Sequence, residues 1–171
     1  MLVIVLGLPG SGKSYFAQAL AKQLDAAYVN SDRMRNAVGA RGKYSKEEKM
    51  QIYHLMREET RKHALAGKKV VVDGTFYLTE MIDLFKTLSA ALATPIYFMS
   101  VVADEKLIKE RLSSPRDDSE ADYDVYLNIK EKVEPFQMPH LTLRSGRDNI
   151  DEMISAAMDY IRDAKDEGNR S

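Results

Sequence analysis

Residues 7–14 read Gly7-Leu-Pro-Gly-Ser-Gly-Lys-Ser14, a complete match to the pattern G-x-x-x-x-G-K-[ST]. The apolar run Leu2–Leu6 precedes it and a helical pattern follows, which is the setting that gives the pattern its meaning. Gly7, Gly10 and Gly12 let the chain turn, so that the loop through Gly7, Pro9, Gly10, Ser11 and Gly12 forms a cradle for phosphate oxygens, with every residue but Pro9 offering a backbone N–H. The helix beginning near Gly12 adds its positive dipole end. Lys13 supplies a point charge to the β- and γ-phosphates, and Ser14 offers a hydroxyl to Mg²⁺. The competing reading is a glycine-rich turn with a chance lysine. With strand and helix both in place around the loop, a nucleoside triphosphate site is expected.

Outward from this loop, short β-branched runs alternate with helical spacing. Leu2–Leu6, Tyr28–Asn30, Val70–Asp73, Ile96–Val101 and Leu141–Leu143 suit buried parallel strands. Tyr53, Met56, Thr60 and Ala64 recur at helical intervals after Ser45-Lys-Glu-Glu48, a capping-box pattern. Ile150, Met153, Ile154, Ala157, Met158 and Ile161 form one apolar face, begun by Asn149 with Glu152 three residues on. This alternation predicts a three-layer α/β fold with right-handed crossovers. The chain has 171 residues, so one domain over 1–171 is expected.

Composition narrows the function. The net charge of −1 gives no whole-protein argument for nucleic acid or an acidic membrane as partner. The charge is uneven, however: Lys and Arg outnumber Asp and Glu by 11 to 5 over residues 32–69, and fall short by 6 to 10 over 103–134. The basic middle can therefore face an anionic ligand. With no cysteine, thiol chemistry, disulfides and zinc ribbons drop out. The N-terminal apolar run is too short for a signal peptide or a membrane span, so no membrane partner and a cytoplasmic location are expected. A GTPase would carry Asn-Lys-x-Asp, which does not occur, and ring ATPases and transporters need more domain. A small P-loop phosphotransferase remains.

Three further positions fit that chemistry. Asp32 and Arg35 follow the second strand, whose C-terminal end faces the same crevice as the phosphate loop. Asp32 can orient an acceptor hydroxyl and take its proton, and Arg35 can hold an anionic group. Equally, Ser31 or Asp32 can be the N-cap of the next helix and Arg35 a solvated side chain. Asp73 ends the third strand, where a carboxylate holds Mg²⁺ directly or through water, or else accepts backbone hydrogen bonds in a turn. The Thr75 hydroxyl, two residues on, can face substrate or phosphate, or simply sit in that turn.

The ordered set Gly7–Ser14, Ser31-Asp-x-x-Arg35, Val70-Val-Val-Asp-Gly-Thr75, Arg111 with Arg116, Ser119-Glu-Ala-Asp122 and Glu134-Pro-Phe resembles the small P-loop kinases known as predicted AAA-type kinases. These are similar to polynucleotide 5′-hydroxyl kinase domains and, more distantly, to zeta toxins and gluconate kinases. The resemblance spans Met1 to about Leu143. It implies a five-stranded parallel sheet in the order 2-3-1-4-5, ATP and Mg²⁺ as cofactors, a helical lid over about 112–122, and phosphorylation of a hydroxyl with Asp32 as base. By likeness to adenylate and shikimate kinases, Arg111 stacks on adenine and Arg116 reaches the phosphates; the plain alternative is a solvated helix face, with Arg116 paired to Asp117 or Asp118. Glu120 stands where the family usually has Asp.

The acceptor stays open at this point. A small molecule such as a sugar or nucleoside is favoured over a 5′-hydroxyl nucleic acid, which would use Arg33, Arg35, Arg41, Lys43 and Lys46 and bind with steep salt dependence. A third possibility is a regulatory module that binds ATP and transfers nothing. His54, His63 and His140 lack metal-ligand spacing. The acidic run Asp117–Asp124 lacks the turning glycine and closing glutamate of a calcium loop. Tyr123 and Tyr126 suit base stacking or packing equally.

Overall fold

A computed structural model describes residues 1–40, 42, 45–113 and 121–168. Its strands are β1 (Leu2–Leu6), β2 (Ala27–Asn30), β3 (Val70–Gly74), β4 (Ile96–Val102) and β5 (Leu141–Arg144). The helices between and after them are α1 (Lys13–Leu24), α2 (Ser31–Ala37), α3 (Lys46–Leu65), α4 (Thr79–Ala91), α5 (Glu105–Leu112), α6 (Tyr123–Lys132) and α7 (Ile150–Gly168). All strand pairs are parallel and the sheet order is β2-β3-β1-β4-β5. Four of the strands run one residue past or before the limits read from sequence.

Strand periodicity divides the core in two. Leu2, Ile4 and Leu6 face one side, where Val70 and Val72 meet Ile52, Tyr53 and Met56 of α3 and Met81 and Phe85 of α4. Val3 and Val5 face the other, packing with Phe16, Ala17 and Leu20 of α1 and Met153, Ala157 and Ile161 of α7. Both sides of β1 are therefore buried, which is why its sequence is continuously apolar rather than alternating. Each fully buried side chain of this kind contributes about 1.5–3 kcal/mol relative to exposure. Helices on both faces hold the sheet rigid, and functional residues are left to the strand ends.

Local capping corrects two expectations. Asn30, the last residue of β2, caps α2: its side chain accepts from the Arg33 amide at 2.8 Å. Neither Ser31 nor Asp32 is the cap, since both already lie inside the helix. At the start of α7, Asn149 turns backwards. Its Oδ1 accepts from Gly146 N at 2.7 Å and its Nδ2 donates to the Arg144 carbonyl at 2.9 Å, so it closes the preceding loop. The capping box at Ser45 and Glu48 is present in both halves. Among the described residues, no helix is long and apolar enough to cross a membrane.

Candidate active site

The register brings three chain exits to one edge of the sheet. Asn30 stands opposite Asp73, Asp73 opposite Val5, and Leu6 opposite Gly74 and Ser100. The phosphate-loop segment, Ser31-Asp32 and Gly74-Thr75 thus leave adjacent strands side by side, as expected for a crevice at the carboxyl ends of a parallel sheet.

The loop from Gly7 to Gly12 is shaped by close approach. A Cβ on Gly7 would sit 2.5 Å from the Val101 carbonyl oxygen and 2.8 Å from Ser11 Oγ, so only glycine fits against β4. Gly12 caps α1 with φ of 89°, and a Cβ there would lie 2.6 Å from Ser145 Oγ. The Ser11 amide donates to the Leu8 carbonyl at 3.1 Å and its hydroxyl is buried. The first helical bond of α1 runs from Phe16 N to the Gly12 carbonyl at 3.1 Å. The amides of Lys13, Ser14 and Tyr15 precede it, so they have no helical acceptor and are available to an anion. Gly10, Gly12, Lys13 and Ser14 line a cleft with Arg111 and the segment 145–149.

Asp73 is fully buried. Its Oδ2 accepts from the Tyr28 hydroxyl at 2.6 Å and from Asn30 Nδ2 at 2.7 Å, while Oδ1 has no hydrogen-bond partner. A buried carboxylate oxygen without a partner costs about 1–3 kcal/mol. That orphaned oxygen, at the end of β3 beside the phosphate loop, fits a hydrated Mg²⁺ ion. Burial, reinforced by the Asp73 charge, pushes the Tyr28 phenol far above its ordinary value, so it stays a donor. Just beyond, Phe76 has φ of 50°, and its amide donates to the buried Tyr53 hydroxyl at 3.0 Å. Gly74 is needed for the same reason, since a Cβ would lie 2.8 Å from that hydroxyl. Thr75 is half-buried between these fixed points.

Asp32 and Arg35 share α2, with Asp32 half-buried and Arg35 only 7% exposed. Arg111, at the end of α5, ties three elements: Nη1 donates to the Gly10 carbonyl at 3.2 Å, and Nη2 to Ser145 Oγ at 3.0 Å and the Gly146 carbonyl at 2.7 Å. It is therefore not part of a solvated face. Its neighbour Glu110 pairs instead with Arg147 through two bonds of 2.9 and 2.6 Å. Arg116, with Ser119 and Glu120 of the expected lid, lies outside the described residues, as do Arg41 and Lys43 of the basic stretch. Tyr123 and Tyr126 stack on each other, and Tyr126 is buried against Ile108 and Leu112, so they join α6 to α5. Glu134 caps α4 from a distance: its carboxylate accepts from the Thr79 amide at 2.6 Å, and its own amide donates to the Tyr77 carbonyl at 2.9 Å.

Sequence reasoning missed the segment Ser145–Asn149, which forms one wall of the cleft. The signal was present: a glycine between a short strand and an amphipathic helix, at the same sheet edge as the phosphate loop. The Tyr28–Asp73 bond carried no such mark.

Among solved structures, the fold is similar to that of an unliganded sugar kinase from Janibacter sp. HTCC2649, with 18% identity, 94% of each chain covered and a TM-score of 0.72. It is similar to a gluconokinase from Sinorhizobium meliloti 1021, with 16% identity, 99% of this chain and 96% of that one covered, and a TM-score of 0.73. An APS kinase from Mycobacterium tuberculosis, in complex with AMPPNP and APS, gives 21% identity, coverage of 94% and 96%, and a TM-score of 0.71. No curated protein matches the sequence. At these identities the likeness establishes a P-loop kinase fold. The model of the AAA domain family matches residues 2–136, most of the chain and every position of the candidate site except the cleft wall at Ser145–Asn149, and the chain belongs to that family.

Proposed function

We propose that this chain is an ATP-dependent kinase that phosphorylates a hydroxyl of a small molecule, in one domain with a lid over about 112–122. The observation that carries the reading is the register that ends β2, β3 and β1 side by side, which sets the half-buried Asp32 and the buried Asp73 at the same sheet edge as the phosphate loop. The loop amides and Lys13 bind the phosphates, and Arg111 with the 145–149 segment forms the wall against which the base rests. Ser14 and the free oxygen of Asp73 hold Mg²⁺. That ion would supply positive charge against the phosphates. Asp32 takes the acceptor's proton as its oxygen bonds to the γ-phosphorus and the bond to the β-phosphate oxygen breaks, leaving ADP. Arg35 offsets charge on the acceptor side, and Arg116 is assigned the same task from the resemblance alone.

A regulatory ATP-binding module would use the phosphate loop and Asp73 but not Asp32. Transfer from γ-labelled ATP into a metabolite extract separates the two. Asp32→Ala is expected to bind MgATP normally and lose about 10²–10⁴-fold in transfer. Transfer at the wild-type rate in that variant would refute Asp32 as the base, and no transfer by the wild type would refute the kinase.

A further inference from the structure

Near Tyr77, three residues beyond the end of β3, two helices carry lysines that no carboxylate among the described residues pairs. Lys49 of α3 is half-buried, with Nζ 3.4 Å from the Tyr77 hydroxyl and 5.2 Å from the centre of that ring. Among the described residues, neither Lys49 nor Lys132 forms an ion pair. The nearby acids are committed elsewhere: Glu80 to Lys46 at 2.9 Å, and Glu134 to the α4 amide of Thr79. Lys132 ends α6, one turn beyond Ile129, whose side chain is buried with Ile52, Tyr53 and Tyr77. The Glu134 amide then bonds the Tyr77 carbonyl, which fixes the end of α6 beside Tyr77. Arg35 lies one turn from Asp32 on the short helix packed against α3.

We propose that the acceptor carries one carboxylate or phosphate group, seated among Lys49, Lys132 and Arg35 beside the Tyr77 hydroxyl, with its reactive hydroxyl directed to Asp32. This rests on the kinase reading and adds the class of substrate to it. Desolvating a lysine against an aromatic ring with further cations nearby is unfavourable in the empty protein, and a bound anion removes that penalty. Burial, with the charges of Lys132 and Arg35, holds the Lys49 amine below its ordinary value, which agrees with such a cluster. Tyr53 packs in one cluster with Phe76 and Tyr77, and its hydroxyl accepts from the Phe76 amide at 3.0 Å just beyond Asp73, so Lys49 and Tyr77 lie near the end of β3 that carries that acid. Lys49 over one aromatic ring, with Lys132 at the helix end beside it and Arg35 on the helix packed against α3, suits a single anionic group; these residues do not form the long stripe that a polynucleotide backbone needs.

The first arm of the test titrates inorganic phosphate into the full chain saturated with MgAMPPNP, which occupies the phosphate loop, and follows the side-chain nitrogen resonances of lysine. Phosphate should bind in the millimolar range and perturb Lys49. Lys49→Met should weaken it about 10-fold or more, and Lys49→Arg should retain most of it. Absence of binding, or binding indifferent to Lys49→Met, overturns the proposal. The second arm offers γ-labelled ATP with a metabolite extract already divided by anion exchange, and separately with a 5′-hydroxyl oligonucleotide. Label in the anionic fraction, reduced in Lys49→Met, supports it. Label confined to the neutral fraction, or placed on the oligonucleotide with steep salt dependence, overturns it. Label nowhere refutes the kinase reading, and the phosphate titration still decides whether the anion pocket exists.

Discussion

At Asp73 two demands meet on one side chain. Tyr28 and Asn30 both donate to Oδ2, which fixes the carboxylate in its plane, and the buried Oδ1 is left to whatever enters the crevice. Were the residue only a strand-end acceptor, both oxygens would be satisfied within the protein. Asp73→Asn keeps the shape and removes the charge. The free variant should have a melting temperature close to that of the wild type, while its affinity for ATP in Mg²⁺ falls about 10-fold or more. In EDTA the two proteins should bind ATP alike. Calorimetric titration in both buffers checks this, and an unchanged Mg²⁺ dependence would reduce Asp73 to a structural acceptor. The position of this acid was legible because it ends an apolar strand in a parallel sheet. The identity of its partners was not, since Tyr28 and Asn30 lie 45 and 43 residues away and only the register brings them opposite. Ser31 or Asp32 looked like a cap for a local reason: a strand's last residue rarely announces that its side chain will turn to serve the next helix.

Element by element, what the sequence showed was whatever depends on local spacing. The α3 start was readable because both halves of the capping box lie within four residues. The α4 start was not, because its first amide, that of Thr79, is served by Glu134, which is 55 residues further on. The resemblance had pointed to Glu134-Pro-Phe without a reason for it; the structure supplies one, a carboxylate at a helix N-terminus followed by a ring packed at 5.3 Å on Phe98. The bonds to Thr79 hold the Glu134 carboxyl below its ordinary value. The folded protein therefore binds this proton less readily than the unfolded chain, and the stabilisation is full above the unfolded value of about 4.5 and lost as pH falls through the lower folded value. Glu134→Gln should consequently be less stable than wild type at neutral pH, with the gap closing on acidification. Urea unfolding from pH 7 to pH 3 measures it; a gap that does not change with pH would mean the charge has no part in the cap.

On the scale of the whole molecule, the nucleotide cleft is closed by contacts between segments far apart in sequence, and Arg111 makes three of them. It joins the phosphate loop at Gly10, the β5–α7 loop at Ser145 and Gly146, and α5 itself, across separations of 101, 34 and 35 residues. On the proposed reading, stability and nucleotide affinity are therefore linked through one guanidinium. Losing charge-assisted bonds of this kind costs about 1–3 kcal/mol, which for a domain of this size lowers the melting temperature by roughly 2–12 °C. Arg111→Ala should show that loss in the free protein. It should also show a smaller rise on adding MgATP: at a concentration about 100 times Kd the wild type gains about 2.7 kcal/mol, and a 10-fold weaker variant at the same concentration gains about 1.4 kcal/mol. Glu110→Ala is the comparison, because it breaks only the exposed pair with Arg147 and should shift neither quantity by much. Thermal unfolding with and without MgATP reads both. If Arg111→Ala is destabilised yet keeps the full rise with MgATP, the arginine is a brace between segments and the base rests elsewhere; if both effects appear together, the free protein already holds the wall of its nucleotide site in place before ATP arrives.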